Sequence, residues 1–161
     1  MWSVLKTLGS RLQRALSHDR RQEILALLSR EYADKMKDAG QYRLHAEQMR
    51  YNHFRAQLER IADGEEKHAQ WLLDRIIALG GAIPQVTSEP EDARNTWEDL
   101  GLDLLEEKRH QWDLTDQLPI IERTDPATAE ILRRIFEEES NHRTAITHML
   151  MRSDPIADWP V

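Results

Sequence analysis

The sequence contains no cysteine, and it has only 6 glycines and 6 prolines among 161 residues. The lack of cysteine excludes disulfide bonds, thiolate-bound zinc, iron–sulfur clusters and a thiol nucleophile. Runs rich in β-branched and aromatic residues, which are typical of strands, are nearly absent. Alanine, leucine, glutamate, arginine and glutamine fill the long stretches between glycines and prolines, and all of them favour helices. The sequence therefore predicts an all-α protein with a single core.

Long apolar runs are also missing. No stretch of about 18 apolar residues is present, so we expect no transmembrane helix. The N-terminal residues "MWSVLKTLGS" lack the uninterrupted apolar segment of a secretory signal. The net charge of −7 argues against nucleic-acid binding. We therefore expect a cytoplasmic protein that binds neither nucleic acid nor membrane.

The positions of the few glycines and prolines divide the chain. We predict a short amphipathic helix in residues 1–18, a four-helix bundle over 19–152 and a tail at 153–161. The second long helix should stop at Gly80, and the fourth should begin at Asp125 as N-cap with Pro126 in its first turn. Short links between helices one and two and between three and four predict antiparallel hairpins. The link of about 11–15 residues from helix two to three can cross the length of a bundle.

The sequence repeats itself in the second and fourth helices. Residues 58–76, "LERIADGEEKHAQWLLDRI", match residues 132–150, "LRRIFEEESNHRTAITHML". At about 100° per residue, Glu65 lies within about 40° of Leu58, Ile61, Leu72 and Ile76. Glu139 has the same relation to Leu132, Ile135, Ile146 and Leu150. The repeat thus places each glutamate on the centre line of an apolar face, with His68 and His142 at the edge.

A buried carboxylate needs a compensating cation or a strongly shifted pKa. One explanation is a buried salt bridge to a lysine or arginine on a facing helix, with the histidines merely hydrogen-bonded. Two Glu-x-x-His pairs at matching positions favour a metal, because a carboxylate and an imidazole three residues apart can reach one ion from one helix face. The repeat therefore predicts a metal centre inside the bundle.

The first and third helices should supply further carboxylates. Glu31 and Glu107 border the apolar sides of these helices. Four carboxylates would neutralise two divalent ions, whereas without metal they should repel one another and take up protons. The predicted ligands are Glu31, Glu65, His68, Glu107, Glu139 and His142.

Residues 20–150 resemble the ferritin-like superfamily, particularly rubrerythrin-type and bacterioferritin-type di-iron proteins. Those bundles use a Glu from each of two helices and a Glu-x-x-His from each of the other two. The stretch "LERIADGEEKHAQWLL" is similar to the second helix of rubrerythrins. In that family the helix-one or helix-three Glu precedes the motif Glu by about 33 residues. Here the spacing is 34 residues from Glu31 to Glu65 and 32 from Glu107 to Glu139. A spacing of 33 would fall on Tyr32 and Glu106, which are therefore rivals to Glu31 and Glu107.

The chain also departs from these relatives. Without cysteine it lacks the rubredoxin unit of rubrerythrins. Glu66 stands where bacterioferritins place a haem-ligating methionine, so no haem is expected. No fifth helix is predicted after residue 151, so we do not expect a ferritin-type cage.

The resemblance implies a non-haem di-iron oxidoreductase with two iron ions, or manganese in their place, and no catalytic residue beyond the ligands. It would oxidise Fe(II) with O2 or hydrogen peroxide and exchange electrons with an unidentified donor. Alternatives are iron storage or delivery without turnover, a di-iron hydroxylase, and a metal-free bundle whose buried polar network fixes helix register. We also expect a homo-oligomer, a dimer in the simplest case. His110, Tyr32 and Tyr42 are candidates for residues close to the metals.

Overall fold

The computed structural model describes residues 2–87, 89–91 and 95–153, with side chains from residue 18 onward. Four helices make up most of this part of the chain, and it contains no strand. The all-α prediction is therefore confirmed. In chain order the helices are α1 (Trp2–Gln48), α2 (Asn52–Ala78), α3 (Thr96–Thr124) and α4 (Pro126–Leu150).

The first helix is longer than predicted. Instead of a short helix followed by a second one from about residue 20, one continuous helix runs from Trp2 to Gln48. No glycine or proline lies between Arg11 and Ala39, so nothing in this stretch interrupts the helical backbone. The side chains of residues 1–17 and all of residues 154–161 lie outside the described part. The packing of the N-terminal segment and the role of the tail remain predictions.

Local chemistry sets the other helix ends. After α2, Gly80 adopts φ 70, a conformation that favours glycine, and its N–H donates to the carbonyl of Ile77 at 2.8 Å. Helix α3 begins after Asn95, whose side chain accepts from the N–H groups of Trp97 and Glu98. Helix α4 begins after Asp125, whose side chain accepts from the N–H of Thr128. The predicted N-cap of α4 is confirmed.

The helices form two antiparallel hairpins, α1 with α2 and α3 with α4, which pack through α1–α3 and α2–α4 contacts. The connection from α2 to α3 returns along α1. His45 Nε2 donates to the carbonyl of Glu91 at 2.8 Å, and the Lys37 ammonium lies 3.2 Å from the Glu91 carboxylate. The predicted crossover between two hairpins is thus confirmed.

Two apolar clusters fill the core, one toward each end of the bundle. Each buried leucine or isoleucine contributes roughly 1.5–3 kcal/mol, which offsets the cost of burying polar groups between the clusters. The first cluster includes Leu25, Leu28, Leu72, Ile76, Leu114, Leu132 and Ile135. The second includes Tyr42, Met49, Phe54, Leu58, Ile61, Leu100, Ile146 and Met149. The residues of the Glu-x-x-His repeats lie between these two sets along each helix.

Among the described residues, no helix combines the length and apolarity that crossing a bilayer requires.

Candidate metal centre

The two Glu-x-x-His pairs face each other at the middle of the bundle. Glu65 and Glu139 are both 0 % exposed, as the helical periodicity predicts. The rings of His68 and His142 stack with their centroids 5.7 Å apart. Helices α2 and α4 therefore bring the two halves of the repeat into one buried polar layer.

Potential ligand atoms gather in two groups that share Glu65. One group, which we call the His68 half-site, consists of Glu65, His68 and Glu139, and its ligand atoms lie within 4.8 Å of one another. The other, the His142 half-site, consists of Glu65, Glu107 and His142 and meets the same distance. Glu65 Oε1 lies 2.8 Å from His142 Nδ1, and Glu65 Oε2 lies 3.5 Å from His68 Nδ1. Each oxygen of Glu65 thus faces a different half-site.

A glutamate next to the centre orients His68. The His68 Nε2–H donates to Glu138 Oε2 at 3.0 Å, and Lys67 also holds this carboxylate. In a neutral ring this bond places the proton on Nε2 and leaves the lone pair of Nδ1 on the side of Glu65. Histidine ligands of metals commonly donate their second N–H to a carboxylate in this way.

Several atoms of the two half-sites have no hydrogen-bond partner although they are buried. They are His68 Nδ1, Glu65 Oε2, Glu107 Oε2 and both carboxylate oxygens of Glu139. Unpaired buried polar atoms are rare in folded proteins, and a bound ion is one of the partners that would satisfy them. The donor set of oxygen and imidazole nitrogen fits iron or manganese.

A lysine supplies a cation to the same place. Lys35 of α1 is 1 % exposed, and its Nζ lies 3.2 Å from Glu65 Oε2 and forms a short ion pair with Glu139 Oε1. The ammonium also lies 3.7 Å from Asp38 Oδ2 and 3.5 Å from His110 Nδ1. The salt-bridge alternative left open by the sequence is therefore present at the His68 half-site.

The helical periodicity of α1 indicates that Lys35 is buried, although lysine is normally a surface residue. Lys35 follows Leu28 by seven residues and precedes Tyr42 by seven, so it lies on the same apolar face of α1. Both neighbours are buried, at 0 % and 2 % exposure. A lysine at the centre of an apolar face therefore predicts a buried charge, as a glutamate at such a position does.

The predicted α1 ligand, Glu31, lies outside the two half-sites. Glu31 is buried, but it belongs to neither half-site, and its nearest ion-pair partner is Arg30 at 4.0 Å. Its rival Tyr32 packs against the first apolar cluster. Burial raises the pKa of Glu31 to about 7, although the nearby Lys35 charge opposes this. Helix α1 thus presents an ammonium to the centre where the symmetric ligand set predicted a carboxylate.

Helix α3 presents Glu107 to the centre and leaves Glu106 outside it. Glu107 Oε1 accepts a hydrogen bond from Tyr42 Oη at 2.8 Å and lies 3.6 Å from His142 Nδ1. Glu106 instead accepts from Gln41 at 2.9 Å and from Lys37 at 2.7 Å. The geometry therefore favours Glu107 of the two rivals.

Charge within the centre is unevenly distributed. Burial alone would raise the pKa of Glu65, but the Lys35 charge and the hydrogen bond from His142 hold it well below its usual value. Burial raises the pKa of Glu139 despite its contact with Lys35. Burial would lower the pKa of His142, but Glu107 and Glu65 raise it to about 9. A metal ion would therefore have to replace a proton on His142.

A polar network extends from the centre along the α1–α3 interface. Gln41 Nε2 donates to Asp103 Oδ1 at 3.0 Å, and His45 Nδ1 donates to the same carboxylate. His110 lies near the Lys35 end of this network, 3.3 Å from Asp38 Oδ2. Burial and the positive charge of Lys35 lower the pKa of His110 to about 3, so this ring is neutral.

The family model for the ferritin-like domain matches residues 25–153. The chain belongs to the ferritin-like family. This confirms the resemblance that the Glu-x-x-His repeat indicates. No curated protein sequence matches the chain significantly.

Solved structures agree with this ferritin-like fold. A dodecameric thioferritin from Bacteroides fragilis, described as bacterioferritin-related, superposes with a TM-score of 0.73 at 19 % identity, over 81 % of this chain and 86 % of that one. A mycobacterial bacterioferritin superposes with a TM-score of 0.74 at 22 % identity, over 84 % and 88 %. BfrA from M. tuberculosis gives 0.73 at 22 % identity, over 84 % and 87 %. At these identities the likeness establishes the fold.

Proposed function

We propose that this protein takes up iron at the buried centre, for storage or delivery. The observation that carries the proposal is the convergence of buried carboxylate oxygens and imidazole nitrogens in the two half-sites. Three of these atoms, His68 Nδ1, Glu107 Oε2 and Glu139 Oε2, have neither a hydrogen-bond partner nor an ion-pair contact with Lys35. Membership of the ferritin-like family supports it, as does the likeness to bacterioferritins and a thioferritin. Because carboxylates and imidazoles suit both iron and manganese, manganese serves as an experimental substitute.

The surrounding residues would hold the ligands in place. Tyr42 donates to Glu107, and Glu138 accepts from the ring of His68. The apolar clusters on both sides of the centre exclude water from it. Iron bound there would supply one-electron redox chemistry, while the chain's own groups would bind it and limit the access of solvent.

Oxidation of Fe(II) by O2 or hydrogen peroxide is a second candidate function. The observation that favours it is the buried phenol of Tyr42, which is bonded directly to Glu107 and is 2 % exposed. A phenol in this position can serve as a local one-electron donor. Storage and delivery require binding alone, so the two functions are separable by experiment.

Anaerobic titration of the metal-free protein with Fe(II), followed by metal analysis, tests the proposal. The native chain should bind iron tightly, and Glu65→Gln should abolish binding because Glu65 belongs to both half-sites. Glu66→Gln is the matched control, since Glu66 is exposed and pairs with Arg43. Failure of the native chain to bind iron, or retained binding in Glu65→Gln, would contradict the proposal.

Admission of air to the Fe(II)-loaded protein distinguishes the two functions. A rapid rise in near-ultraviolet absorbance that is slowed by Tyr42→Phe would indicate oxidation at the centre. Slow oxidation, at the rate of Fe(II) in buffer, would leave storage or delivery as the function.

We also propose a homo-oligomer that is formed through the outer face of α3. Leu105, Trp112 and Ile120 are 65 %, 75 % and 66 % exposed, and their spacing of seven and eight residues places them on one side of the helix. Analytical ultracentrifugation should show a dimer or larger assembly for the native chain and dissociation for Trp112→Glu. A monomeric native chain would contradict this.

A further inference from the structure

We infer that Lys35 occupies one of the two cation positions of the centre, so that each chain binds one metal ion, at the His142 half-site, instead of two. This inference rests on the proposed metal binding and specifies it. The fold family would suggest a symmetric pair of ions, and the residues of this chain do not fit that pair.

The position of the ammonium is the first argument. Lys35 Nζ contacts Glu65 Oε2 and Glu139 Oε1, which are two of the carboxylate oxygens that an ion in the His68 half-site would need. An ammonium and a metal ion cannot share these oxygens at such distances, because both are positively charged and both need the same space. The lysine therefore competes directly with metal at the His68 half-site.

The lysine is held from its other side as well. Asp38 lies one turn further along α1, and His110 approaches from α3, at 3.7 Å and 3.5 Å from Nζ. The Lys35 side chain is 1 % exposed, so it has no route to solvent without opening the bundle. Displacing it within the core would leave a buried charge without its partners, which is strongly destabilising. A metal ion would therefore have to overcome this cost to enter the His68 half-site.

The His142 half-site is free of this competition. Among the contacts of the described residues, the ion pairs of Lys35 run to Glu65 Oε2, Glu139 and Asp38, and none runs to Glu107. Glu65 Oε1 faces His142 instead, and Glu107 Oε2 has no hydrogen-bond partner. Lys35 therefore occupies neither of these atoms, and an ion that replaces the proton on His142 can reach both.

The charges at the centre are compatible with a single ion. The half-sites hold three carboxylates, Glu65, Glu107 and Glu139, and Asp38 adds a fourth beside the Lys35 ammonium. One ammonium and one divalent ion supply three positive charges against these four carboxylates, so a second divalent ion is not needed to avoid a large uncompensated charge in the core. One iron ion releases one electron, while reduction of hydrogen peroxide to water takes two. A single ion thus favours storage or delivery over peroxide reduction.

The stoichiometry of Mn(II) binding tests the inference. Metal-free native protein, Lys35→Met and Lys37→Met are dialysed to equilibrium against Mn(II), and bound metal is measured per chain. We expect one ion for the native chain, two for Lys35→Met and one for Lys37→Met, in which a lysine on the same helix that pairs with Glu106 is removed. Adding His68→Ala to Lys35→Met should return the number to one.

The outcomes separate this inference from the proposed function. Two ions in the native chain, or one ion in a folded Lys35→Met chain, would overturn the role of Lys35 while leaving metal binding intact. No ion in the native chain would contradict the proposed function itself.

If Lys35→Met does not fold, native crystals soaked in Mn(II) decide the question by anomalous scattering. A single peak beside His142, with Lys35 still against Glu139, is the expected result. A peak beside His68 would overturn the inference.

Discussion

The two half-sites are built from matching segments of the repeat, yet they carry different charge. His68 and His142 occupy equivalent positions on α2 and α4, and both share Glu65. The His68 half-site receives the Lys35 ammonium from α1, whereas the His142 half-site receives the Glu107 carboxylate from α3. Equivalent motifs on two helices therefore do not make equivalent sites. The helix that packs beside each motif, α1 or α3, supplies an ammonium to one half-site and a carboxylate to the other.

The two histidines also differ in their hydrogen bonds. His68 is completely buried and donates to Glu138 through Nε2, which leaves Nδ1 unpaired. The His142 side chain is 13 % exposed, and its Nδ1 lies 2.8 Å from Glu65 Oε1. The ring with the unpaired Nδ1 thus shares its half-site with the Lys35 ammonium, and the ring with the raised pKa shares its half-site with Glu65 and Glu107. The following predictions test whether this asymmetry governs binding.

The largest effect should come from the histidines. His142→Ala should weaken Mn(II) binding by at least about 100-fold, because it removes a direct ligand, whereas the loss of a residue that only supports a ligand costs 10–100-fold. His68→Ala should change the affinity only a few-fold, since Lys35 already occupies that half-site. Isothermal titration calorimetry on the metal-free variants measures both. Equal losses would mean that the half-sites are equivalent.

Substitution of the α3 ligand should have the next largest effect on Mn(II) affinity. Glu107→Gln should weaken Mn(II) binding by roughly 10–100-fold, less than His142→Ala, because the glutamine amide loses the negative charge but keeps an oxygen that can bind the ion. Glu106→Gln is the matched control and should stay within about threefold, because Glu106 pairs with Lys37 and Gln41. The same calorimetry compares the two. A larger loss of Mn(II) affinity in Glu106→Gln than in Glu107→Gln would identify Glu106 as the α3 ligand.

The α1–α3 interface should show its own pH dependence in the metal-free protein. Burial would lower the pKa of His45, but Asp103 and Asp99 raise it from 6.5 to about 8. Because the folded pKa exceeds the unfolded one, this stabilisation is complete below about pH 6.5 and is lost as pH rises through about 8, by about 2 kcal/mol. Urea unfolding across this range should show the decline.

His45→Gln should be less stable near pH 6 and should lose that part of the pH dependence. His18→Gln, which replaces an exposed histidine of the same helix, should behave as the native chain does. His142, with its pKa of about 9, adds a further decline at higher pH in all three proteins. An unchanged pH profile in His45→Gln would show that the His45–Asp103 pair contributes nothing.

The smallest effect concerns the space beside His142. A Cβ at Gly64 would lie 3.0 Å from His142 Nε2 and 3.1 Å from Cε1, so Gly64→Ala should push the ring and weaken Mn(II) binding a few-fold. Gly101→Ala is the control, because a Cβ there meets nothing within 4 Å. It should leave binding unchanged and stabilise α3 by about 0.5–1 kcal/mol. Identical Mn(II) affinities in the two variants would show that the close approach is unimportant.

Much of the fold followed from local residue chemistry. Asp125 and Pro126 predict the start of α4, and Gly80 marks the end of α2, because capping and a left-handed backbone depend on one or two residues. The continuity of α1 through residue 18 was not predicted. A serine or aspartate resembles an N-cap in sequence even where the helix passes through it, since the preceding residues decide whether a helix end exists.

The sequence by itself determined that Glu65 and Glu139 are buried, because the helical period alone decides which residues share an apolar face. Only the tertiary structure decided what neutralises them. The choice of Glu107 instead of its neighbour Glu106 beside His142 depends on how α3 is rotated about its axis. Lys35 and Glu31 are one turn apart on the same side of α1, so the choice between them depends on the position of α1 along its axis. Packing over the whole length of each helix sets both the rotation and this position.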